Sequence, residues 1–182
     1  MSQDNPDIRK QVEASRGPQK KLELLIPGLS NYRKLDDIRV ADDMLRNQVA
    51  DKLNSAKSSL EAMRKQMTAA ADFTNLTSVG SLIFQLQQMA GDVRHAEQGY
   101  SGFVASISMD QNRLNQLYDY DNDFVTAAFA LVAATSPPKL AYDPANSASV
   151  MGQLTSVNAA MADFKQKWGV RMEAVKGILV KQ

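Results

Sequence analysis

The chain has no cysteine, one histidine and one tryptophan among its 182 residues. Without thiols there is no disulfide, no thiolate nucleophile and no Cys-ligated metal, and the composition suits a reducing compartment. Charge of either sign is not in excess: the formal net charge is +1, so no global field draws the chain to nucleic acid or to an anionic membrane. Long apolar runs are missing too. The longest, residues 124–134 with Thr126 inside it, is far short of the ~20 residues that a spanning helix needs. The first residues, MSQDNPDIRKQVEASRGPQKK, hold no apolar core of a signal peptide. These absences predict a cytoplasmic protein with no nucleic-acid partner and at most peripheral membrane contact.

What is present is helical periodicity. Val150, Leu154, Val157, Met161, Phe164, Trp168, Met172, Val175 and Leu179 recur in steps of three and four, which places them on one helix face. A first long helix is expected over residues 32–71, with Leu35, Ile38, Leu45, Val49, Leu53, Ala56, Leu60, Met63 and Met67 inward. A second is expected over 74–98 (Leu76, Val79, Ile83, Leu86, Ala90, Val93), with Gly99 as its stop. A third is expected from Asp110 to before Pro137-Pro138 (Leu114, Tyr118, Asp121, Val125, Ala128, Val132), because proline cannot continue a helix. The fourth runs from about Asn146 almost to the end of the chain. The fold class predicted is all-α, an antiparallel up-down four-helix bundle with long first and last helices. Residues 1–20 are expected to be a flexible polar tail and 21–182 a single domain of ordinary size and composition. The apolar segment 22–29 contains Pro27-Gly28, a turn signal, and is expected to pack irregularly on the bundle.

Helix lengths suggest an unusual end. The second and third helices are about 25 residues, ~37 Å, and the outer two are longer. If short loops make neighbours antiparallel, the first and last helices overhang together, beside the loop 99–109 and the segment 22–30. Two helices alone leave apolar surface uncovered, and such patches mark contacts. The expected interaction surface is this end, with Tyr32, Arg39, Arg46, Tyr100 and Phe103 around it; Tyr and Arg are favoured interface anchors.

Candidate chemistry is sparse. Asp92-Val93-Arg94-His95 has the i, i+3 carboxylate–imidazole spacing of bundle metal sites, but such a site needs a second motif and further glutamates, and there is one histidine. No catalytic triad can be argued from spacing alone. Gly99-Tyr100-Ser101-Gly102 is too short for a P-loop and no lysine follows. No catalytic residue, cofactor site or metal site is therefore predicted. The methionines on the stripes read as core filling. The charges Arg33, Lys34, Asp36, Asp37, Arg39, Asp42, Asp43 and Arg46 read as a solvated face with i, i+4 pairs, except that Asp42 falls in the gap of the stripe between Ile38 and Leu45. Asp121 lies on the third stripe. Both are expected to be buried polar groups, Asp42 with Arg39 or Arg46, and Asp121 with Lys57, Arg64 or Asn158, since a buried carboxylate needs a partner.

Ile26-Pro27-Gly28…Tyr32, Ala41-Asp42…Leu45-Arg46, Val93-Arg94-His95-Ala96…Gly99-Tyr100-Ser101-Gly102-Phe103 and Leu117-Tyr118…Asp121 resemble an uncharacterised family of helical prokaryotic proteins over roughly residues 22–130. The resemblance carries no enzymatic activity over to this chain and implies a scaffold or adaptor role near assemblies of membrane-organising SPFH (band 7) proteins. The expected function is a helical protein-interaction module, a scaffold or adaptor, with a protein partner or a second copy of itself. The alternatives are a peripheral membrane protein anchored through residues 22–29 and, behind it, a carboxylate-based enzyme.

Overall fold

A computed structural model describes residues 17–26, 38–96 and 111–180. All regular structure among them is helical: α1 (Pro18–Leu25), α2 (Ile38–Ala69), α3 (Leu76–His95), α4 (Gln111–Ala134) and α5 (Ser149–Val180). The chain is an all-α bundle of four long helices with a short one against it. The buried apolar residues form one core to which all five helices contribute.

The long helices alternate in direction along the chain. Around the bundle, α3 packs on α2, α4 packs on α5, and the two hairpins meet through α2–α4 and, less extensively, α3–α5. The sequence neighbours α3 and α4 are therefore diagonal, as are α2 and α5. The α2–α3 turn is tight: Ala71 takes a left-handed backbone (φ 55°), and the amide of Asp72 donates to the Met67 carbonyl at 3.0 Å, which closes the helix end. Between α4 and α5 the Thr135 hydroxyl donates back to the Leu131 and Val132 carbonyls. A single 3₁₀ turn, Pro144–Asn146, then forms with Asp143 accepting from the Ala145 amide. The two connections meet where the Tyr142 hydroxyl donates to Asp72 at 3.2 Å.

Three expectations change. The segment from residue 22 is not irregular: α1 begins at Pro18, inside the stretch expected as a tail, and Leu22 and Ile26 are each only 2% exposed. Proline at the first helical position costs nothing there, because its missing N–H would be unpaired anyway, and a core face repeats at i, i+4. Second, α3 ends at His95 and is shorter than expected. Third, the overhang differs. Asp42, Asp121 and Arg171 mark one level, where their side chains meet. From Gln111 to that level α4 spans ten residues, ~15 Å, and α5 runs nine residues past it, ~13 Å, while in the other direction α2 runs on for 27 residues and α4 for only 13. The third expected helix, which was to stop short of the overhang, is thus part of it as α4, with α1 packed on α4. Residues 32–37 of the expected first-helix overhang lie outside the described residues. The shift arises because α4 is displaced along the bundle axis. At the far end the connection 135–148 takes its place beside α2, with Leu140 buried and Pro137, Ala141 and Tyr142 lining a recess with Met63 and Gln66.

Candidate functional site

The densest chemistry among the described residues is a buried cluster of guanidiniums and carboxylates. Asp42, Arg46, Asp121 and Arg171 are 8%, 4%, 6% and 3% exposed, values that unpaired charges do not reach. Arg46 and Asp42 are one helical turn apart on α2, and Arg46 Nε donates to Asp42 Oδ2 at 2.8 Å. The same guanidinium donates to Asp43. Its Nη1 donates to the carbonyls of Val93 (3.4 Å), Arg94 (3.3 Å) and Ala96 (2.9 Å). These are acceptors that the end of α3 leaves without helical partners, and a cation there also meets the negative pole of the helix.

Arg171 completes the cluster from α5. Its Nε donates to Asp121 Oδ1 at 2.6 Å and its Nη2 to Asp42 Oδ1. Its guanidinium lies 5.6 Å from the ring centroids of both Phe124 and Trp168, within range of cation–π attraction. Phe124 also packs on Phe164 and Trp168 at 5.3 and 4.9 Å. Asp42 is thus shared by two arginines, and α2, α3, α4 and α5 are joined through one set of charge-assisted hydrogen bonds.

Burial dominates the titration of Asp121. It pushes the carboxyl above the ordinary aspartate range against the pull of Arg171, and the neighbouring charge of Asp42 adds to the rise. For Arg171, burial acts to lower the pKa, but the two carboxylates outweigh it and hold the guanidinium above its usual value. Tyr118, half-buried one turn before Asp121, is also raised, first by burial and then by the charges of Asp121 and of Glu23 on α1.

The expected interface residues fare differently. Arg46, expected on an exposed rim, is instead buried and committed to two aspartates and the end of α3. Register is the reason: one turn after Asp42 it shares the inward stripe, so its guanidinium reaches the α3 terminus rather than solvent. Tyr32, Tyr100 and Phe103, and the side chain of Arg39, lie outside the described residues. Asp42 and Asp121 are both in the cluster. The partner of Asp121 is Arg171, not Lys57, Arg64 or Asn158, because the displacement of α4 puts Asp121 level with the start of α2; Lys57 faces Glu61 at 3.8 Å. Arg171 had a signal in the sequence. Met161, Phe164, Trp168, Arg171 and Val175 follow steps of three, four, three and four, which makes Arg171 a member of the stripe. His95 is exposed at the end of α3.

The α3–α5 seam opens into a cleft of about 180 Å³ lined by Met89, Val93, Phe164, Trp168 and flanking polar residues, and Lys165 on α5 donates across it to Gln85 on α3 at 3.1 Å. This is below the ~300–1,000 Å³ of a typical small-molecule pocket. Elsewhere the surface is notable for apolar exposure. Phe84 on α3 and Phe73 in the turn before it are 68% and 65% exposed, within a stretch, residues 73–91, that contains no charged side chain.

No protein-family model matches the chain, and neither a characterised protein nor a solved structure matches it.

Proposed function

We propose that the protein is a helical protein-interaction module, a cytoplasmic scaffold or adaptor without catalytic activity. The observation that carries this reading is the exposure of Phe84 on α3 and of Phe73 in the turn before it, within the uncharged stretch 73–91. Surfaces are ordinarily about a quarter to a third charged, and a large aromatic left in water on an uncharged face marks a contact surface. The buried cluster supports it from the other side: its arginines and carboxylates are turned on one another, which suits a rigid frame that presents a surface. The motif resemblance adds a membrane-organising assembly of the SPFH type as a partner class.

The peripheral-membrane alternative places the anchor in residues 22–29. Leu22 and Ile26 lie in the core with Leu25 packed against it, so these three insert into a membrane only if α1 leaves the bundle; Leu24 is the exposed leucine of α1, at 64%, and residues 27–29 lie outside the described residues. No helix of the described residues is long and apolar enough to cross a membrane.

The test is capture from native lysate on the immobilised parent chain and on Phe84→Glu. A specific partner retained by the parent and lost by the variant supports the reading. A partner retained equally by both moves the contact surface away from α3. Flotation of the parent with liposomes favours the membrane alternative.

A further inference from the structure

We propose that the cleft between α3 and α5 binds a small zwitterion whose ammonium and carboxylate are separated by a short apolar chain. This site is independent of the reading of the protein as an interaction module.

The cleft has an apolar floor. Met89 and Val93 reach it from α3, and Phe164 and Trp168 from α5. Met89, Val93 and Phe164 are buried, whereas Trp168 is half-buried, so part of the only indole in the chain stays open to the cleft. An apolar and aromatic lining with a few polar groups converging on it is the usual make-up of a ligand site.

The polar groups carry opposite charges, and helix direction sets them at opposite ends. Because the long helices alternate along the chain, α3 and α5 run parallel. The Lys165 ammonium crosses the seam to Gln85 at 3.1 Å and marks one end. Asp92, which also lines the cleft, follows Gln85 on the same face of α3 two turns later, ~10 Å along the axis. Met89 lies between them. Asp92 is exposed, and its neighbour Arg94 is turned to Asp51 on α2 instead. Arg171, the cation packed on Trp168, is buried and held by Asp42 and Asp121. The cleft therefore presents a cation at one end, an anion at the other and carbon between.

Size and charge together select the ligand. A volume of about 180 Å³ is too small for a drug-sized molecule, but an apolar cavity of ~150 Å³ is enough for benzene. Two charge-assisted hydrogen bonds of ~2.8 Å take up more than half of the distance between the two ends and leave ~4–5 Å between the ligand's own charges. An α-amino acid, with both charges on one carbon, is too short for this. An ω-amino acid spans it and lays its methylenes against Trp168 and Met89, out of water. A dianion is repelled by Asp92 and a dication by Lys165, which is discrimination by an unfavourable contact. Both charges of the cleft are exposed, so each ion pair adds little and binding is weak.

Trp168 fluorescence of the full chain reports binding without a label. Titration with glycine, γ-aminobutyrate and ε-aminocaproate gives a saturable change for the two longer compounds, with affinity at least fivefold above that of glycine. Butyrate and butylamine, which each lack one charge, bind about fivefold more weakly than γ-aminobutyrate. Asp92→Asn and Lys165→Gln each lower the affinity about fivefold, and the double variant loses the saturable response. Both side chains are exposed, so the double variant keeps the parent's helical circular dichroism and denaturant midpoint. As a second measure, saturating γ-aminobutyrate raises the thermal midpoint of the parent and not of the double variant. A parent with no saturable response up to ~10 mM overturns the proposal. So do equal affinities for glycine and the longer compounds, or a response that persists in the double variant. Phe84 does not line the cleft, so capture of a lysate partner through Phe84 stands or falls separately.

Discussion

Arg171 and Asp42 sit on helices that are diagonal to one another, yet their side chains meet in the core. A single guanidinium thereby links the α2–α3 hairpin to the α4–α5 hairpin while its Nε holds Asp121 at 2.6 Å.

Arg171→Ala leaves Asp121 without its guanidinium and Asp42 with Arg46 alone. Breaking a buried ion pair from one side costs ~3–5 kcal/mol, and the packing of the guanidinium on Phe124 and Trp168 is lost as well. The denaturant midpoint falls accordingly. The double variant Arg171→Met/Asp121→Leu replaces the pair by apolar groups and recovers most of that loss, because desolvation of the charges is no longer incurred. A double variant as unstable as Arg171→Ala contradicts this.

The raised pKa of Asp121 has a defined sign. Its folded value lies above the unfolded value of about 4, so the folded state binds the proton more tightly. The stabilisation from that proton is complete below the unfolded pKa and is lost as pH rises through the folded pKa. Asp121→Asn cannot titrate there. Urea midpoints measured from acid to neutral pH therefore move in favour of the Asn variant, relative to the parent, as pH increases. Movement the other way places Asp121 below its ordinary value.

The docking of α1 separates two leucines that differ by two positions. Leu22→Ala removes a buried side chain and costs ~2–5 kcal/mol. Leu24→Ala removes an exposed one and stays within about ±0.5 kcal/mol. Equal effects in thermal or chemical unfolding would mean that α1 does not pack as described.

Much of this fold is written in the spacing of apolar residues. The stripes from Leu45 to Met67 and from Val150 to Phe164 read directly as core, since one face of a helix is all a bundle needs. Asp42 and Asp121 were noticeable because each interrupts a stripe. Arg171 was not, because Trp168 and Met172 offered an alternative apolar path beside it; both are only half-buried, whereas Arg171 is inside. The helical nature of α1 was hidden by Pro27-Gly28, which ends a segment without saying what precedes it. The ring order and the axial displacement of α4 were beyond periodicity altogether. A stripe fixes which face is inward, but not which neighbour it meets or at what height, and so the partner of Asp121 could not be read from depth.

The two-hairpin arrangement also sets an order of events in time. α2–α3 and α4–α5 are each built from contacts close in sequence, which form early in folding. Arg171 meets Asp121 within the α4–α5 hairpin but reaches Asp42 only when the two hairpins close on one another, so the Asp42 contact belongs to the last step. Interactions absent from the transition state act on the unfolding rate. In a chevron experiment, Arg171→Ala should therefore raise the unfolding rate by a larger factor than it lowers the refolding rate. The cluster then acts as a clasp that determines how long the closed bundle lasts more than how quickly it is reached.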